Sequence, residues 1–261
     1  MPLRIACDLD GTLADMDAAL QHEAEQLFGP DVDLRANRRI IINRPAADRH
    51  ELRHHDYGSP RPQAKAEGQR RDEQAEPASI VKRPLSGLDV RKLWARVAAI
   101  ENFWTTLEEV ESGSVARLAE LAAKHGWEIL FLTRRPVTVG DTPQVQTQRW
   151  LQAKGFELPS VFVVKGSRGR IADALTLDAV VDDLPENVID VATDSKATPI
   201  LVWREAPVLL PPTAASLSRV VHSFREALVV LDAMTTPPTR TERLLRRVRS
   251  AMRMSSRADV R

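Results

Sequence analysis

The stretch Leu3-Arg4-Ile5-Ala6-Cys7-Asp8-Leu9-Asp10-Gly11-Thr12-Leu13 decides the fold. Residues 3–7 form a short run without apolar–polar alternation, the pattern of a strand buried on both faces of a parallel sheet. It ends in two acids one residue apart, followed by a glycine. Asp8 and Asp10, at the carboxyl end of a buried strand, would both lose water, a cost that a bound cation offsets. Gly11 lets the chain turn sharply and bring its backbone close to a ligand.

Working outward, four further runs read as strands of the same kind: 128–132, 160–164, 179–181 and 199–203. Helical patterns lie between them. Val115, Leu118 and Leu121 share one face, with Ser114 placed as a cap and Gly126 as a stop. A second helix runs over about 144–154 and ends at Gly155, and Pro185 stands where a first helical position would follow Asp183. Leu217, Val220, Val221, Phe224, Leu228 and Leu231 predict one final long helix. This alternation predicts an α/β fold, a doubly wound (Rossmann-like) parallel sheet of five strands.

In an open sheet of this type the ligand crevice lies outside the carboxyl ends of the strands. The second strand ends in Phe131-Leu132-Thr133 and the fourth in Val180-Val181-Asp182-Asp183. Asp8, Asp10, Thr133, Asp182 and Asp183 are therefore expected to converge. An all-oxygen acidic cluster with room for water suits magnesium better than zinc. Taken singly, an Asp-x-Asp is usually a solvated turn, a strand-end Thr is structural, and an acid pair caps a helix. Their order and spacing together point to a site.

Residues 8–127 separate the first two strands, far more than a plain crossover requires. Within them, 18–28 and 90–103 look helical, whereas 44–83 is rich in Pro, Gly, Arg and Gln and reads as a flexible excursion. The interval is read as a helical module inserted after the first strand. His50, His54, His55 and Asp56 have metal-ligand spacing, but so polar a stretch favours a solvated loop. The expected organisation is a core of 1–13 and 110–234, an insertion at 14–109 with a disordered loop at about 44–83, and a tail at 235–261.

Lys and Arg number 37 against 36 Asp and Glu, a net of +1, and 43% of the 261 residues are apolar, enough for a folded core. Near-neutrality excludes a uniformly basic nucleic-acid coat and an acidic solubiliser. The balance is uneven: 235–261 carries eight Arg against Glu242 and Asp259, a net of +6, and the remainder carries −5. The single Cys7, adjoining Asp8 on the opposite strand face, reads as core packing and favours a reducing setting. With an acid at position 8 where a signal peptide would stay apolar, and no run near the ~20 residues that span a bilayer, a cytoplasmic location is expected.

These residues resemble a known family. Segments 5–13, 130–133 and 179–183 look like motifs one, two and four of the haloacid dehalogenase superfamily of phosphohydrolases, and the resemblance covers roughly 1–13 and 112–205. It implies a two-step phosphoryl transfer in which Asp8 attacks phosphorus and Asp10 protonates the leaving oxygen, then activates water. Thr133 would hold a phosphoryl oxygen, with Gly11 and Thr12 beside the substrate. Magnesium would lie between Asp8, the Asp10 carbonyl and one acid of the Asp182–Asp183 pair, with Asp183 slightly favoured. The motif-three cation would be Lys165, after the third strand, or Arg168 or Arg170 close by. A Lys shortly before the Trp of the second helix, expected in deoxyribonucleotidase-type relatives, is missing, since no Lys occurs between Lys124 and Lys154.

The insertion point, with 10–16, 102–108 and 182–187, resembles the 5'-nucleotidase and deoxyribonucleotidase branch with its C1-type helical cap. That likeness implies a small phosphorylated substrate such as a nucleotide, with Phe103, Trp104 and Trp94 as candidates to pack on a base; aromatics at such spacing are more often the core of a cap. Thr133-Arg134-Arg135-Pro136 and Thr147-Gln148-Arg149-Trp150 also resemble the 3'-phosphatase module of polynucleotide end-healing enzymes. There Arg134 and Arg135 would contact phosphate or lie solvated beside the crevice. A third reading is a non-catalytic binding protein working through its tail. In 239–257, Thr239-x-x-Glu242 forms a capping box, and Leu244, Leu245, Val248 and Met252 share a face ringed by arginines. Nucleic-acid phosphates, an anionic membrane, or the acidic body itself are the partners such a helix fits.

Overall fold

The computed structural model describes residues 2–34 and 83–235. The loop expected at 44–83 (Arg83 apart), the histidine group at 50–56 and the tail helix at 239–257 lie outside the described residues. In chain order the elements are β1 (Arg4–Asp8), α1 (Met16–Phe28), α2 (Gly87–Ala99), α3 (Ser114–His125), β2 (Glu128–Thr133), α4 (Pro143–Ala153), β3 (Ser160–Val163), α5 (Arg168–Ala174), β4 (Ala179–Asp182), α6 (Pro185–Asp194), β5 (Thr198–Val202), α7 (Pro212–Leu217), β6 (Arg219–Val221) and α8 (Phe224–Thr235). They form two compact units. One comprises 2–14, 108–133 and 148–235, and the other 15–34, 83–107 and 134–147.

The first unit holds a parallel sheet ordered β3-β2-β1-β4-β5-β6. The chain builds outward from β1 through β2 to β3, then returns to the other side of β1 for β4, β5 and β6. The order reverses between β1 and β4, the switch point at which such sheets bind ligands. Register puts Ala6 beside Leu130 and Val180, and Cys7 beside Phe131 and Val181. The first set packs with Leu132, Ala172, Leu177, Val191 and Ala197 in one apolar cluster. The alternate residues Ile5, Cys7, Phe131 and Val181 are wholly buried on the opposite face, so β1 is covered on both sides. Cys7 is a packing residue there, and burial pushes its thiol far above the usual range.

Three expectations are corrected. The sheet has six strands among the described residues, not five. The long helix read through Leu217 to Leu231 is broken: α7 ends at Leu217, Val220 and Val221 lie in β6, and α8 starts at Phe224. The β-branched pair completes the sheet edge beside β5. Ser223 then restarts the helix, its Oγ accepting from Glu226 N (3.1 Å) while the Glu226 carboxylate accepts from His222 N (2.8 Å). Ser114 does not cap α3. Gly113 is the cap residue, with φ 77°, and the Glu109 carboxylate accepts from Gly113 N (2.8 Å) and Val115 N (2.9 Å) instead.

In the second unit, α2 opens on a capping box between Ser86 and Asp89 and buries Val90, Leu93, Trp94 and Val97. Asn102, with φ 51°, turns the chain into a 3-10 turn at Phe103–Thr105 and accepts from Asp141 N at 2.9 Å, tying 134–147 to this unit. No helix among the described residues is long and apolar enough to cross a membrane.

Candidate active site

Asp8 is the last residue of β1, and a tight turn follows it. Leu13 N and Ala14 N both donate to Leu9 O (2.8 and 2.7 Å), and Gly11 N donates to Ala14 O (2.9 Å). Gly11 sits at φ 88°, a conformation that suits glycine and costs other residues strain. The turn leaves Asp8 7% exposed and Thr12 fully buried. Across the switch point, β4 ends in Asp182, and Asp183 follows; both are buried. One carboxylate oxygen from each of Asp8, Asp182 and Asp183 lies within 4.8 Å of the others.

The three acids have different surroundings. Asn187, one turn into α6, donates to both oxygens of Asp182 (3.0 and 2.9 Å), and Leu184 N adds a third bond at 2.9 Å. Asp182 is thus oriented by its own helix start. Asp183 accepts from Thr12 Oγ1 at 3.3 Å, which links it to the turn after β1. Asp8 meets Arg168, whose Nη2 lies 2.7 Å from Asp8 Oδ1 and whose Nε lies 3.7 Å from Asp182 Oδ2. Burial above all, then the negative charge of Asp182, pushes the Asp8 carboxyl well above the usual carboxylate range; Arg168 works against this, and Asp183 and Asp10 add to it. On the other flank, Thr133 Oγ1, at the end of β2, donates to Asp10 Oδ2 at 2.9 Å.

Arg168 reaches this position as the first residue of α5, which is capped by Ser167, whose Oγ accepts from Arg170 N. The next residue allows the approach: a Cβ on Gly169 would stand 2.1 Å from Asp190 O on α6. Of the three cations considered for this role, Arg168 is 1% exposed and touches Asp8, whereas Lys165 and Arg170 are exposed. The first unit therefore brings together Asp8, Asp10, Thr12, Thr133, Arg168, Asp182 and Asp183.

The remaining candidates belong to the second unit. Phe103 and Trp104 are buried against each other, edge to face at 5.0 Å, and Trp104 Nε1 donates to Pro136 O at 2.9 Å. Arg135 is buried, with Nη1 donating to Thr147 Oγ1 (3.0 Å) and its guanidinium 5.1 Å from the Trp104 ring centre. Arg134 is partly buried and Trp94 lies in the α2 core. These aromatics are packing residues of their unit, and neither Phe103 nor Trp104 presents a ring to solvent.

Sequence reading did not single out Asn187, Glu111 or Arg204 as site residues. Asn187 could have been found from its spacing, five residues after a strand-end acid on a helix begun by Pro185. Glu111 and Arg204 meet only in the folded chain, where Arg204 Nη1 donates to Gly11 O at 2.7 Å and Nη2 to Glu111 Oε1 at 2.6 Å.

The donor set fits a hard divalent cation. Three converging buried carboxylates offer oxygen ligands only, the chemistry of magnesium rather than of zinc. The upward push on Asp8 is what such a cation would relieve.

No family model and no curated protein matches the chain. Among solved structures it is similar to CbbY from Rhodobacter sphaeroides in complex with phosphate, at 17% identity and a TM-score of 0.47, over 87% of this chain and 96% of that one. It is also similar to a HAD family hydrolase from Deinococcus radiodurans R1 with bound phosphate and sodium, at 14% and 0.47, over 91% and 99%. A hydrolase from Pseudomonas syringae stands at 13% and 0.46, over 90% and 100%. Likenesses this distant carry no functional weight, and the chemistry rests on the side chains themselves.

Proposed function

We propose that this chain is a magnesium-dependent phosphomonoester hydrolase of the haloacid dehalogenase type, working through a phosphorylated Asp8. The observation that carries the reading is the convergence of Asp8, Asp182 and Asp183 within 4.8 Å at the switch point of the sheet. Arg168 on Asp8 and Thr133 on Asp10 complete the set.

In the first step an Asp8 oxygen attacks phosphorus, and the bond to the ester oxygen breaks with its electron pair leaving on that oxygen. Asp10 delivers the proton the oxygen needs. In the second step Asp10, now a carboxylate, takes a proton from water as the water oxygen bonds to phosphorus. The bond between phosphorus and the Asp8 oxygen breaks, returning free Asp8 and inorganic phosphate. With substrate bound, the Thr133 hydroxyl turns from Asp10 to donate to a phosphoryl oxygen, and Gly11 and Thr12 line the substrate side of the turn. We assign the motif-three cation to Arg168, on its contact with Asp8, rather than to Lys165. Asp8, Asp183 and the Asp10 carbonyl would hold the magnesium, with Asp182 held back by Asn187 to orient the pair. When bound, the cation supplies positive charge that keeps Asp8 ionised and offsets charge building on the phosphoryl group.

The substrate is proposed to be a nucleotide or similar small phosphate ester, in the manner of the 5'-nucleotidase branch, with 14–109 as a C1-type cap. In support, the chain leaves the first unit after Ala14 and returns at Glu108. A buried, lone Cys7 fits a reducing, cytoplasmic setting. The test is a panel of mononucleotides, sugar phosphates, an aryl phosphate and 3'-phosphorylated oligonucleotides, assayed with magnesium and with chelator. Magnesium-dependent phosphate release, fastest on the mononucleotides, is expected. A rate unaffected by chelation would refute the reading, and a preference for the oligonucleotides would move it to end-healing chemistry.

A further inference from the structure

We infer that Arg204 is a positioning residue for the catalytic turn, acting with Glu111; the inference rests on the phosphohydrolase reading above. Arg204 lies just beyond the carboxyl end of β5, two strands from β1 in the sheet. Its guanidinium donates from Nη1 to Gly11 O (2.7 Å) and from Nη2 to Thr12 O (3.3 Å). These two carbonyls belong to the turn that carries Asp10 and the Thr12 hydroxyl, and the hydroxyl in turn donates to Asp183. A guanidinium has a fixed fork, so holding two successive carbonyls sets the orientation of the turn as well as its distance.

The fork is itself anchored. Arg204 Nη2 donates to Glu111 Oε1 at 2.6 Å, and the same carboxylate accepts from Phe224 N (2.6 Å) and Arg225 N (3.2 Å) at the start of α8. Burial alone would raise the Glu111 carboxyl, but the hydrogen bonds from Arg204, Phe224 and Arg225 prevail and hold it below the usual range. Glu111 therefore stays ionised and the pair persists. The Glu111 side chain is 16% exposed and that of Arg204 28% exposed, so the pair is partly sheltered from water and salt. Backbone contacts place the pair at the roots of the insertion: Val110 N donates to Leu13 O at 2.9 Å, and Ala14 bridges Glu109. Among the described residues the Arg204 guanidinium bonds Gly11 O, Thr12 O and Glu111 and none of the reacting carboxylates, which is why it is a positioning and not a catalytic residue.

The test compares wild type with Arg204→Ala, Arg204→Gln and Arg204→Lys, in aryl-phosphate hydrolysis and in magnesium binding followed by the metal-induced shift in Tm. Displacing catalytic groups by a fraction of an ångström costs rate more than ground-state affinity. Arg204→Ala is expected to lower kcat about 30-fold with KM within about threefold, and to weaken magnesium binding about tenfold. Arg204→Lys, which cannot fork, is expected to fall between, and added guanidinium ion is expected to restore part of the kcat of Arg204→Ala without stimulating wild type. Arg204→Gln, shorter and uncharged but still polar, serves if Arg204→Ala does not fold. A folded variant with kcat and magnesium affinity both at wild-type level, only its Tm lowered, would overturn the inference. If wild type itself releases no phosphate, the functional reading fails, and equal magnesium affinity in wild type and variants would then overturn the positioning role independently.

Discussion

Arg168 Nη2 stands 2.7 Å from Asp8 Oδ1, with the arginine side chain 2% exposed and the aspartate 9%. A buried charge so placed balances an acid in a crowd of acids, and removing it leaves that acid uncompensated. Arg168→Met is therefore expected to lower kcat on an aryl phosphate by about 10²–10³-fold, the scale of losing one transition-state charge donor. Lys165→Ala, on the exposed side of the same loop, is expected to stay within about threefold of wild type. Paired kinetics of the two variants check this, and the reverse ranking would return the cation role to Lys165.

Gly169 lets α5 approach α6 closely enough to deliver Arg168. A methyl group there would stand 2.1 Å from Asp190 O, a backbone atom that cannot swing aside. Gly169→Ala is expected to destabilise the fold by about 2–3 kcal/mol, in the range for overpacking a core. Denaturant unfolding measures it, and an unchanged midpoint would show that the two helices can separate at little cost.

Asn187 holds both oxygens of Asp182. Asn187→Leu removes two donors from a buried carboxylate and is expected to cost about 1.5–3 kcal/mol, the scale of hydrogen bonds to charged groups. Thermal unfolding at neutral pH tests the loss. Added magnesium is expected to restore part of it, because a cation between the acids offsets the same charge.

Asp8 yields a pH prediction with a definite sign. Its carboxyl is raised in the fold, by burial and then by Asp182, so the folded state holds the proton more tightly than the unfolded chain does. The stability this group contributes is full below its unfolded value of about 4 and is lost as pH rises through its raised folded value. Without metal, Asp8→Asn removes that loss, so the variant's Tm is expected to exceed wild type by a margin that widens from pH 4 upward. Thermal melts in chelator across that range check it, and a margin that narrows with pH would contradict the electrostatic picture.

Much of the site was legible because each element announces itself locally. Residues 3–7, 128–132 and 179–181 are short apolar runs that stop at a hydroxyl or an acid, and in a parallel sheet those stops must share one edge. The sixth strand was not legible. Val220 and Val221 fit the 3.6-residue spacing that also links Leu217 to Phe224, and only pairing with β5 draws 219–221 into the sheet. Nor could spacing choose between Lys165 and Arg168, since the choice depends on Ser167 capping α5 so that Arg168 opens it, and on Gly169 meeting Asp190. Phe103 and Trp104 read as candidate base platforms at a spacing that more often marks core, and burial places them in the core of their unit. Arg204 and Glu111, far apart in sequence, carry no local signature at all.

The central claim is that Asp8 becomes phosphorylated, and the most direct measurement is mass analysis of the peptide containing Asp8 during turnover. An Asp10→Asn variant, which cannot activate water for the second step, is mixed with an aryl phosphate and magnesium and quenched in acid. A mass increase of one phosphoryl group on Asp8, absent with chelator and absent in the Asp8→Asn, Asp10→Asn double variant, is the predicted result. Phosphate release by Asp8→Asn at the wild-type rate, with no phosphorylated Asp8 peptide in either background, would contradict it.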